Sequence, residues 1–170
     1  MIRIPLDQIQ SDALSRFHFD GQKQELGLGK IEFPVEELEV LVSVAEADQG
    51  YVLTAEVTGE AQLTCHRCLE AFSKPLDLAI NALAVFDSAS TVENEDAEVI
   101  EISAQSNYID ATQLVYDGIL LNLPYKLLCR EDCKGLCDQC GQNLNHGTCD
   151  CEQETIDPRW EKLKEINFEE

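Results

Sequence analysis

Eight cysteines are the residues of this 170-residue chain whose spacing could do chemistry. They fall as Cys65-x-x-Cys68, Cys129-x-x-x-Cys133, Cys137-x-x-Cys140 and Cys149-x-Cys151, and five of them lie in the nineteen residues CKGLCDQCGQNLNHGTCDC from Cys133 to Cys151. A C-x-x-C turn brings two thiolates close enough to hold one ion and leaves backbone N–H groups to bond the sulfurs. Behind Cys140, Gly141 lets the chain turn tightly around a metal. Four thiolates select zinc, or iron in some settings, and a four-cysteine zinc site keeps no open position, so it is structural and not catalytic. Local sequence groups Cys137, Cys140, Cys149 and Cys151 as one set. Cys65, Cys68, Cys129 and Cys133 remain as a second, which would clamp the C-terminal segment to the end of a strand. Another partition stays open, with Cys129, Cys133, Cys137 and Cys140 in one site and Cys149 and Cys151 free. The expected cofactor is one structural zinc, or two. A lone buried cysteine packs like a small apolar residue, but this segment is too short and polar for a core of its own. There a structural zinc would contribute on the order of 10 kcal/mol.

Other chemistry has less to stand on. Cys65-His66-Arg67-Cys68 has the form of a redox C-x-x-C, with His and Arg placed to lower a thiol pKa. A thioredoxin-type motif opens a helix after a parallel strand, whereas this one sits between two expected antiparallel strands. A thiol redox protein using Cys65 and Cys68 is therefore the enzymatic alternative to a non-enzymatic chain. His146 is a reserve metal ligand inside the cluster, and His18, within FHF, is expected to be structural. Gly-rich phosphate loops, nucleophile elbows and metal-hydrolase helices are missing from the sequence.

Thirty-three acidic against twelve basic residues give a formal net charge of −21. Such a surface repels nucleic-acid phosphates and favours basic partners, or it serves solubility alone. Basic residues gather at one place: Lys126, Arg130 and Lys134 beside the cluster, with Arg67 in the first C-x-x-C. These four are the candidate contacts to RNA or a protein partner, unless they only offset nearby carboxylates. The N-terminus has no basic region followed by an apolar run, and no window holds the roughly 20 apolar residues of a membrane helix. The expected location is the cytoplasm, where thiols stay reduced and metal is a better use of them than disulfides.

The elements that must position these groups follow from hydrophobic period. LEVLVSVAE and YVLTAEVTGEAQLTC alternate and are rich in valine and threonine, and SKPLDLAINALAVF reads as a returning strand, so an antiparallel meander is expected. Residues 87–98, DSASTVENEDAE, read as an acidic loop. Asp110 and Gln113 have capping-box spacing at the start of a helix over about 111–122, ended by Pro124. Its expected buried face is Leu114, Val115, Gly118 and Leu121, with Ile119 and Leu120. Asp157 and Pro158 would open a short terminal helix through WEKLKEI. The expected fold class is α+β: an antiparallel β-sheet with one packed helix and a cysteine-rich, zinc-ribbon-like C-terminal segment. Residues 1–128 would form the sheet-and-helix domain and 129–170 the zinc-binding segment with the terminal helix.

LTCHRCLEAF, LNLPYKLLC, REDCKGLCDQCGQNLN, CDCE and IDPRWEKLKEI together closely resemble the bacterial YceD family, the large ribosomal RNA subunit accumulation proteins, long catalogued as a domain of unknown function. The resemblance covers roughly residues 38–166 and is most specific from Leu128 to Ile166. It implies a non-enzymatic role in synthesis, processing or stability of large-subunit (23S) rRNA, with a large-subunit ribosomal protein, a pre-ribosomal particle or a processing enzyme as partner. No catalytic residue is implied. Some members keep the pair matching Cys65 and Cys68 but lack most C-terminal cysteines. With this net charge, a basic ribosomal protein is an easier partner than bare RNA. A direct RNA-binding zinc module is the other alternative.

Overall fold

The computed structural model describes residues 1–11, 13–32, 34–48, 50–86 and 98–151. Seven strands and one α-helix occur among them: β1 (Arg3–Pro5), β2 (Ser15–Gly21), β3 (Val35–Ala47), β4 (Gly50–Thr64), β5 (Ala71–Phe86), β6 (Glu98–Ile102), β7 (Tyr108–Asp110) and α1 (Thr112–Asn122). Most of the expected acidic loop and the expected terminal helix at Asp157 and Pro158 lie outside the described residues.

Alternation makes the sheet. Val40, Val42 and Val44 of β3, Leu53, Ala55 and Val57 of β4, and Leu76, Leu78 and Ala82 of β5 are buried, while their neighbours face outward. Successive side chains of a strand point to opposite faces, so the i, i+2 apolar set forms one continuous inner face. The strand order is β2-β3-β4-β5-β6, and the first three pairings are antiparallel, as the meander requires. β6 differs: it joins β5 in parallel, Ala82 facing Glu98 and Phe86 facing Ile102. Period-2 alternation gives a strand's faces but not its direction, so the sheet is mixed at that edge. β1 and β7 pair separately as a two-stranded ribbon and add Ile4 and Ile109 to the core.

α1 covers the inner face with Leu114, Val115 and Ile119. Gly118 lets it come close: a Cβ there would stand 2.8 Å from Ile80 Cγ1, and nearer still to its Cδ1. The buried face is narrower than the sequence suggests, since Leu121 is 85% exposed and Leu120 39%. The capping box also differs. Asp110 Oδ1 accepts from the Thr112 backbone N–H at 3.0 Å, but Gln113 turns away and donates to Asp117, one turn further on. His18 lies on the outer face of β2 and is exposed, because the Phe residues on either side take the inward positions.

Candidate metal centres

β4 and β5 stay in register from Gly50–Val85 to Thr64–Ala71, so residues 65–70 close a long hairpin. Cys65 N–H donates to Glu70 O at 2.9 Å, Leu69 N–H donates to Cys65 O at 3.0 Å, and Leu69 is left-handed with φ 60°. The second C-x-x-C repeats this turn. Cys137 N–H donates to Gln142 O at 2.8 Å, Gly141 N–H donates to Cys137 O at 2.9 Å, and Gly141 has φ 73°. The two turns share one hydrogen-bond pattern and one left-handed position after the second cysteine. Glycine adopts it freely, whereas leucine carries a strain of about 1–2 kcal/mol.

Beyond α1 the chain returns to the hairpin tip. His66 N–H donates to Leu127 O at 2.8 Å, which sets residues 127–133 beside the first turn. All four sulfurs of Cys65, Cys68, Cys129 and Cys133 lie within 4.8 Å of one another. Cys65 and Cys133 sulfurs are 3.8 Å apart, and Cys68 and Cys129 sulfurs 3.7 Å. A tetrahedral ion with zinc–sulfur bonds near 2.3 Å needs edges of about 3.8 Å, so the donor set fits zinc in both type and spacing. Cys137, Cys140, Cys149 and Cys151 form a second group within the same 4.8 Å limit. The first site is packed against Phe72, Leu128 and Leu136. The second is more open, with Cys140 exposed and Cys149 half-buried.

Thiols this close divide ionisation unevenly. Burial opposes charge on Cys65, but backbone N–H groups of Cys129, Cys68 and Arg67 outweigh it and lower its pKa to about 6. Cys133 is lowered too: burial works against it, and the Asn145 amide and the Gly135 N–H favour the thiolate. Cys68 is pushed up to about 12, because burial and the neighbouring sulfurs overcome the Glu70 backbone contact. Cys129 is raised, chiefly by burial. In the second group, backbone N–H groups of Cys140 and Gln139 bring Cys137 down to about 7, while the Cys140 sulfur and burial push Cys151 up to about 12. A bound cation would allow all four sulfurs of a set to be thiolates together.

The basic residues singled out by sequence divide in two. Arg67 Nη1 donates to Cys133 O at 2.8 Å and to Glu131 O at 3.3 Å, bracing the first site. Arg130 donates to Asn145 Oδ1 at 2.8 Å and pairs with Asp132 at 3.5 Å. Lys126 and Lys134 are exposed beside them. His146 is in neither sulfur group; its Nε2 meets Glu70 Oε1 at 2.6 Å. Sequence reasoning passed over Asn143, Asn145 and Glu70, which tie the two sites together. Their signal was two asparagines inside the short loop between Cys140 and Cys149.

No helix among the described residues is long and apolar enough to cross a membrane. No solved structure matches the chain. A Mycobacterium tuberculosis protein, Rv2926c, named only as uncharacterized, is 34% identical over 130 residues, 76% of this chain and 61% of its own length. YlbN of Bacillus subtilis, also named as uncharacterized, is 27% identical over 65% of this chain and 62% of its own. The chain thus spans about three-fifths of the length of these relatives. A chloroplastic Arabidopsis thaliana protein named as a large ribosomal RNA subunit accumulation protein YCED homolog is 39% identical over 49 residues, 29% of this chain and 15% of its own. The family model described as large ribosomal RNA subunit accumulation protein YceD matches residues 53–167, from within β4 through both cysteine groups, and the chain belongs to that family.

Proposed function

We propose that this chain is a non-enzymatic ribosome-biogenesis factor of the cytoplasm, which supports synthesis, processing or stability of large-subunit (23S) rRNA by holding a basic ribosomal protein. Pre-ribosomal particles or a processing enzyme are the other protein-bearing partners the role allows. In this reading residues 1–128 are an acidic body, and 129–170 a segment stapled to it by structural zinc on both cysteine sets. The observation that carries it is the charge of the sheet's outer face. There Asp20 of β2 stands directly opposite Glu39 of β3, with exposed Glu56 and Asp77 on the next strands. Like charges directly opposite destabilise a sheet. Membership of the YceD family supplies the link to large-subunit rRNA accumulation.

Direct gripping of RNA by Arg67, Lys126, Arg130 and Lys134 has less support, since both arginines are spent on carbonyl, amide and carboxylate partners around the first site. The redox alternative is also weaker. Cys65 is 0% exposed and Cys68 3%, out of reach of a disulfide substrate, and each has its close sulfur contact with Cys133 or Cys129. The test is recovery from cell lysate on the immobilised chain at low and high salt. Large-subunit ribosomal proteins should be retained at low salt and released as salt rises. Recovery of naked rRNA, with no protein needed, would replace this reading with the RNA-binding one.

A further inference from the structure

The loop that joins Cys140 to Cys149 closes the second site but spends its side chains on the first. Asn145 Nδ2 donates to Cys133 Sγ at 3.3 Å and to Asn143 Oδ1 at 2.9 Å. Its Oδ1 accepts from Arg130 Nη2 and from Lys134 N–H, each at 2.8 Å. Two donors facing the oxygen fix the orientation of the amide, so its NH2 group must face the sulfur. The side chain is fully used, and it grips the residues on both sides of Cys133. Leu144 N–H donates to Gly135 O at 2.9 Å, and Leu136 and Asn143 form a β-bridge. One residue beyond Asn145, His146 meets Glu70 Oε1, whose other oxygen lies 3.6 Å from Cys68 Sγ. Ligands on both sides of the first site, Cys68 and Cys133, are therefore held by groups from the loop that the second site closes.

We propose that the 141–148 loop is a metal-closed clasp, with Asn145 as its positioning residue, through which the two four-cysteine sites bind metal with positive cooperativity. This rests on the reading that both sets bind metal. An ion between Cys140 and Cys149 fixes the loop ends and presents Asn145 and His146 to the first site. An amide N–H on a ligand sulfur stabilises the thiolate and orients it, and loss of such an outer partner lowers metal retention about 10- to 100-fold. Coupling of this kind is reciprocal, so metal in the first site must also tighten the second.

The test uses the full chain loaded with zinc, counted by elemental mass spectrometry and then challenged with a chromophoric chelator. Two zincs per chain, lost in a fast phase from the open site and a slow phase from the buried one, are expected. Cys65→Ser, which empties the first site, should leave one zinc and speed its loss at least tenfold over the fast phase, because in the unmodified chain the second site empties while the first is still filled. Asn145→Ala should keep two zincs and speed the fast phase 10- to 100-fold. In cadmium-loaded chain it should also shift the 113Cd resonance of the first site, a signature that simple loosening of an exposed loop would not give. Should Asn145→Ala fail to fold, His146→Ala, with a ring 69% exposed, should accelerate the same phase. One zinc in Cys65→Ser and two in Asn145→Ala, each with an unchanged fast phase, would overturn the coupling and leave the sites standing. Fewer than two zincs in the unmodified chain would overturn the two-site reading, and the clasp with it.

Discussion

Gly135, Gly141 and Gly29 separate three effects of adding one methyl group. Gly135 lies two residues beyond Cys133, has φ +80°, and a Cβ there would stand 3.1 Å from the Arg67 carbonyl oxygen. That oxygen accepts from Leu136 N–H at 3.2 Å, so it is held in place and cannot give way. Gly141 has φ +73° but nothing within 4 Å of the new atom. Gly29 has neither a left-handed φ nor a neighbour within that distance. A left-handed alanine costs about 1–2 kcal/mol. Loss of glycine's freedom in the unfolded chain returns about 0.4–1 kcal/mol. Gly141→Ala should therefore destabilise by about 1 kcal/mol. Gly135→Ala adds a backbone contact that can only be relieved by moving Arg67, giving about 2 kcal/mol in all. Gly29→Ala should be neutral or slightly stabilising. For a chain of this size each kcal/mol is worth about 2–4 °C, so the expected falls in Tm are about 4–8 °C, about 2–4 °C and none. The assay is calorimetric melting of zinc-loaded protein at matched metal content. If Gly135→Ala cost no more than Gly141→Ala, or Gly29→Ala cost as much as either, the packing of the Cys133 segment on the Arg67 carbonyl would be refuted.

Three further outcomes can be checked. Cys68 and Cys129 have raised pKa values and hold their protons at pH 7, so an ion entering the first site must expel at least those two. Affinity then rises with pH and falls on acidification; calorimetric titration in buffers of different ionisation enthalpy should give that proton count, and a count near zero excludes it. The Asp110 carboxylate is half-exposed; burial works against its charge, but Thr112 and Arg3 overcome this and hold its pKa below the usual range. A depressed folded pKa stabilises above the unfolded value, near 4, and that contribution disappears as pH falls through the folded one. Asp110→Asn should therefore lower the urea midpoint at pH 7 more than at pH 2; equal loss at both would be the contrary result. Gly118→Val should lower stability by about 1–3 kcal/mol, because α1 must lift from Ile80 or force it off its rotamer. Denaturant unfolding measures it, and an unchanged midpoint would mean the helix does not sit there.

Cysteine spacing and valine alternation were enough to read an α+β chain whose cysteines could hold a metal ion, because both are local properties. A C-x-x-C turn is closed by hydrogen bonds within six residues, as at Cys65–Glu70 and Cys137–Gln142, and a strand's faces follow from its period. Helix α1 was legible within a residue at each end, since the dihedral restriction at Pro124 stops it. Tertiary structure alone decided the rest. Cys65 and Cys133 are 68 positions apart, and only the return of the chain past His66 and Leu127 brings their sulfurs to 3.8 Å. The direction of β6, the exposure of Leu121, and the capture of Arg67 and Arg130 as braces depend on partners distant in sequence. Asn145 is the clearest case. Its one mark in the sequence is a second asparagine in the same short loop, and it gains a role only because the fold sets its amide against the sulfur of Cys133.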